Sequence, residues 1–133
     1  MTIAHKKCTT CDIQRPPNTN LNVGVGNSSL RDNTSGSNNT AIGKSSSQAI
    51  TTGDDNVTLG FQSGNALTTG SNNVIIGSNS DPSAGNASNQ TVVGYGATGV
   101  ENNSVTIGNS NVTAWYPGAD NTADLGSGSV EFK

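Results

Sequence analysis

The sequence predicts an all-β, repetitive fold, a β-solenoid or β-roll of about six 17-residue coils. Three observations carry this reading. A glycine closes a short β-prone run at a fixed interval, columns of like residues recur at matching phases, and large apolar residues are too scarce for an ordinary globule. The runs NVGVG, NTAIG, NVTLG, NVIIG, QTVVG and SVTIG end at Gly26, Gly43, Gly60, Gly77, Gly94 and Gly108, in four steps of 17 and a last step of 14. A fixed period of this length marks a stacked architecture, in which each coil buries its inner face only against its neighbours.

Gly, Asn, Ser and Thr supply just over half of the 133 residues, and Leu, Ile, Val and Phe only 24. That apolar share falls under the ~20% line associated with disorder, but the companion signal, a large charge, is missing: the formal net charge is −3. Six Lys plus Arg cannot line a broad phosphate-neutralising surface, so a nucleic-acid partner is not expected. No run approaches the ~18 apolar residues of a membrane span, and no signal-like apolar run follows the first charges, so neither a membrane anchor nor export is expected. The expected organisation is an N-terminal arm (1–20), a repeat body (21–113) and a C-terminal cap (114–133).

Within each coil the residue before the glycine is Val25, Ile42, Leu59, Ile76, Val93 or Ile107, and two earlier stand Val23, Thr40, Val57, Val74, Thr91 and Val105. Alternate residues share a strand face, so these columns are expected to point inward as a thin core. The intervening Gly24, Ala41, Thr58, Ile75, Val92 and Thr106 would then point outward, where Ile75 and Val92 suggest contact with another subunit. Upstream run Asn22, Asn39, Asn56, Asn73, Gln90 and Ser104, beside Asn38, Asp55, Asn72, Asn89 and Asn103. Stacked amides bond from coil to coil, and Asn tolerates the left-handed backbone of tight corners. Gly36, Gly53 and Gly70, with Ala87 in fourth place, mark a second corner, and Ala49-Ile50 and Ala66-Leu67 a second, weaker strand. With rungs ~4.8 Å apart, six coils give a rod about 25 Å tall. Its thin core argues for oligomerisation.

The NNTAIG, DNVTLG and NNVIIG runs joined by TTG turns resemble the head repeats of trimeric autotransporter adhesins and similar repeats in phage tail fibres and other viral fibres. The resemblance spans roughly residues 20–113, and the 17-residue step is longer than that family's usual period. The stretch from Trp115 to Ser127, with Pro117, Asp120, Asn121, Asp124, Leu125 and Gly126, resembles an element of phage tail fibres. The resemblance implies a structural virion protein assembled in the host cytoplasm: a short homotrimeric fibre or spike, its copies intertwined or side by side, attached to a capsid, neck or tail by its N-terminal arm. The alternative it implies is an adhesin or receptor-binding module for a host surface glycan or protein. An ice-binding solenoid would need a flat Thr array, which the expected outward column does not supply.

The arm carries His5, Lys6, Lys7 and Arg15, candidates for pairing with another virion protein. Cys8 and Cys11 have the spacing of half a zinc site, with His5 as a third ligand. Free thiols or a local disulfide are the other reading, and no other cofactor is expected. His5 is the only histidine, so a Ser-His-Asp triad has no place in the body and an enzyme is not expected. Asp54 and Asp55 read as solvated corner residues. Phe61 and Tyr95 read as local packing, with glycan stacking on Tyr95 as an alternative, and Trp115-Tyr116 as an end cap.

Overall fold

A computed structural model describes residues 20–114. The arm, with His5, Lys6, Lys7, Cys8, Cys11 and Arg15, and the cap from Trp115 onward lie outside the described residues. The body contains six three-residue strands: β1 (Val23–Val25), β2 (Thr40–Ile42), β3 (Val57–Leu59), β4 (Val74–Ile76), β5 (Thr91–Val93) and β6 (Val105–Ile107). They form one parallel sheet in chain order. Register follows the repeat: Ala41 pairs with Thr58, Thr58 with Ile75 and Ile75 with Val92, while the last step pairs Val92 with Thr106. The predicted solenoid is present, as five turns between six rungs.

The strand faces are the reverse of the expectation. The middle residue of each central strand faces inward: Ala41, Thr58, Ile75 and Val92 are buried. The two flanking columns, including Val25, Ile42, Leu59 and Ile107, face out. Two packing demands decide this. A coil of this length encloses a narrow interior, which accepts one strand side chain per rung opposite Ile50 and Leu67. The inner side is also claimed by the asparagines. Asn39, Asn56 and Asn73 are buried, and a residue two positions after a buried one shares its side of the strand.

The buried amides join the coils. Asn56 Nδ2 donates to Asn39 Oδ1 (2.9 Å) and to the Gly70 carbonyl (2.9 Å), and Asn73 Nδ2 donates to Asn56 Oδ1 (3.0 Å) and to the Ala87 carbonyl (2.8 Å). The Oδ1 of Asn39 and of Asn56 also accepts the backbone N–H of the next asparagine. One side chain thus satisfies corner groups that water cannot reach, where an unpaired group costs about 1–3 kcal/mol. The expected amide ladder is present, on the inside. Hydroxyls line the rest of the interior: Ser29 and Ser63 donate to the carbonyls of Ala41 and Ile75, and Ser46 bonds Thr58 Oγ1 at 2.7 Å.

The neighbouring column, Asn38, Asp55, Asn72, Asn89 and Asn103, has φ between 53° and 62°, the left-handed corner predicted for it. The repeat glycines also sit at positive φ. At Gly60 (φ +136°), an added Cβ would fall 2.7 Å from the Gly77 carbonyl. Gly36, Gly53 and Gly70 are needed for close approach instead, since a Cβ there would strike the backbone carbonyl of the next coil. The second strand is absent. Ile50 and Leu67 come directly after turns and are fully buried, and the coils are joined there by backbone bonds such as Thr51 N–H to the Thr68 carbonyl (2.8 Å). Asn33 stands one coil before Ile50 in that column, and its Nδ2 is buried without a hydrogen-bond partner.

Candidate self-association surface

The outward columns make a flat face of six rungs with no charged residue in either column: Val23, Thr40, Val57, Val74, Thr91 and Val105 beside Val25, Ile42, Leu59, Ile76, Val93 and Ile107. Strand propensity explains the choice in part, because β-branched residues suit a pleated surface. Propensity does not explain Ile, Leu and Val being left in water. Val57 and Ile42 are each 40% exposed, Leu59 45% and Val105 68%, while Val74, Ile76 and Val93 are half-buried. The exposed part of the face is on the order of 600 Å², at the top of the range for the largest patch on a monomer. That is within reach of the ~800 Å² each partner contributes to a standard interface.

Of the repeat residues singled out in the sequence, Ile42, Leu59, Ile76, Val93 and Ile107 therefore belong to this face and not to the core. Gly26, Gly43, Gly60, Gly77, Gly94 and Gly108 turn the chain at its edge, and Asn39, Asn56 and Asn73 hold it from behind. Ile75 and Val92, expected to be the outward contact, are fully buried. The true outward columns hold only Thr40 and Thr91 as threonines, so they make no Thr array either. The sequence held a signal for the correct side: the column that keeps Asn through four successive coils, from Asn22 to Asn73, is the one under the strictest packing constraint.

One edge of the face carries Lys44, Phe61 and Tyr95. Lys44 Nζ lies 5.9 Å from the Phe61 ring centroid, within cation–π range. Tyr95 is 72% exposed, so it is not the local packing expected of it. At the other corner the Asp54 carboxylate accepts the N–H of Ser37 (2.7 Å) and its hydroxyl (2.8 Å), which holds its pKa below the ordinary carboxylate value. Asp55 accepts from Asn38 Nδ2 at 3.0 Å, so both acids tie coils together at the corner. Asp81 behaves in the opposite way. Burial raises its pKa, opposed by N–H bonds from Ala66 and Asn65. Comparison with family models, curated proteins and solved structures finds no match.

Proposed function

We propose that the chain is structural: the rod-shaped body of a short homotrimeric fibre or spike on a virion, assembled in the host cytoplasm and joined to another virion protein by the arm at 1–20. The observation that carries the self-association is the uncharged six-rung face of Val, Ile and Leu left in water. Its likeness to the fibre repeats noted above supports the virion assignment. Because one chain supplies all six rungs in order, the copies would lie side by side, without intertwining. The arm would attach through Lys6, Lys7 and Arg15, with Cys8, Cys11 and His5 clipping it by disulfide or zinc.

Sedimentation tests the trimer: the parent should run at the mass of three chains, and Leu59→Asp with Ile76→Asp should release single chains that keep the β-signal. A parent running as one chain would sink the reading. Deletion of residues 1–17 tests the arm. The truncated protein should still form the β-rich oligomer but no longer join particles. A second reading, recognition of a host surface glycan, rests on the protruding Tyr95. It predicts glycan binding that Tyr95→Ala abolishes while the trimer persists.

A further inference from the structure

The outward face carries a pattern that its apolar character does not require. Reading the first column from β1 to β6 gives Val23, Thr40, Val57, Val74, Thr91, Val105. Val and Thr are nearly the same shape and both favour strands, so a purely apolar contact would be served as well by Val at every rung. Among the described residues no hydrogen-bond partner meets either hydroxyl. Of the two threonines of the inner column, Thr58, which lies within the stack, is by contrast bonded to Ser46 and Ser47 at 2.7 and 2.9 Å.

We infer that Thr40 and Thr91 set the axial register in which copies of this chain pack through the sheet face. The inference rests on the trimer reading above. A second copy is the partner that fits: it presents the same rung spacing, no charge and comparable exposed area. With the copies parallel around a common axis, the matched register brings each rung against its like. Thr40 then meets the other two Thr40 side chains, and Thr91 its own counterparts. Three hydroxyls around an axis satisfy one another, each donating to the next and accepting from the one before. A slip of one rung buries each hydroxyl against Val, and a slip of two buries one hydroxyl of each copy against Val, which leaves it unpaired out of water. A slip of three rungs brings Thr91 against Thr40 but leaves half of the face uncovered. A single polar residue fixes register in coiled coils by the same mechanism.

The test uses the full chain with Cys8 and Cys11 replaced by Ser. Chains carrying Leu59→Cys are refolded together with chains carrying Ile42→Cys and then oxidised. L59C–L59C links report matched rungs, and L59C–I42C links report a one-rung slip. With Thr40 and Thr91 present, matched links should exceed slipped ones roughly tenfold. In Thr40→Val with Thr91→Val the ratio should fall toward parity at unchanged trimer mass, and Thr40→Ser with Thr91→Ser should restore it. An unchanged ratio in a trimeric Val variant overturns the inference while leaving the trimer intact. A parent that sediments as a single chain overturns both.

Discussion

The regular coils and the shortened last turn use the same columns but not the same residues. In the regular coils the inner amide is Asn and the second corner is Gly: Asn56 Nδ2 reaches the carbonyl of Gly70, and Gly70 leaves room for the carbonyl of Ala87. At the end of the stack Gln90 stands in the amide column and Ala87 in the glycine column. The last step is 14 residues, so the corner that would crowd Ala87 and receive the Gln90 amide is not there. A methyl group is then tolerated at 87. The longer Gln90 side chain turns back to Ser83, accepting its N–H (3.0 Å) and donating to its hydroxyl at 2.6 Å. Residue identity in a column thus reports whether another full coil follows it.

The largest effect should come from adding one methyl group in each region. Gly60→Ala meets backbone atoms of the next coil at a left-handed φ, and strain with overpacking should cost about 4–5 kcal/mol. Gly96→Ala, also at positive φ (+59°), finds no heavy atom nearer than Asn109 Nδ2 at 3.7 Å. It should cost only about 1 kcal/mol, the conformational term alone. Denaturant unfolding of the two variants checks the contrast, and equal losses would break it.

The amide column should show a smaller difference. Asn56→Leu strips the Gly70 carbonyl and the Asn73 N–H of their buried partners, a loss of about 3 kcal/mol at the usual cost per group. Gln90→Asn cannot reach Ser83, and should lose about 1 kcal/mol because the pair lies at the part-buried end of the stack. At the opposite end, Asn33→Leu extends the Ile50 and Leu67 column and removes a buried unpaired Nδ2. That variant should melt higher, with a gain of about 1 kcal/mol.

The smallest effect is in pH dependence, where two acids differ in sign. The Asp54 pKa is lowered in the folded chain, chiefly by the Ser37 N–H. Its contribution is present above the ordinary carboxylate value and is lost as pH falls through the lowered one. The Asp81 pKa is raised by burial. Its proton binds the folded chain first, so its contribution is full below the ordinary value and lost as pH rises through the raised one. Melting curves across the acid range should show a shallower acid loss for Asp54→Asn, and a gain at neutral pH for Asp81→Asn. Shifts in the same direction for both would contradict the two environments.

Much of the architecture is legible in the residues. The 17-residue step, the left-handed column at Asn38, Asp55 and Asn72, the glycines that admit no Cβ and the amide ladder each follow from a local requirement that recurs every coil. A turn between Ser45 and Ile50, where the residues suggest a strand, is less legible: Ser45 and Ser47 take left-handed φ without a glycine to announce it. The face that matters for assembly is not legible from alternation alone. A period of two states that Thr40 and Ile42 share a side while Ala41 takes the other, but it has no sign. Only the closed coil assigns one. Its narrow interior takes Ala41, Thr58, Ile75 or Val92, and Asn39, Asn56 and Asn73 must lie inside to meet the corner carbonyls. The Val, Ile and Leu side chains of the two flanking columns are left outside, facing whatever covers the sheet.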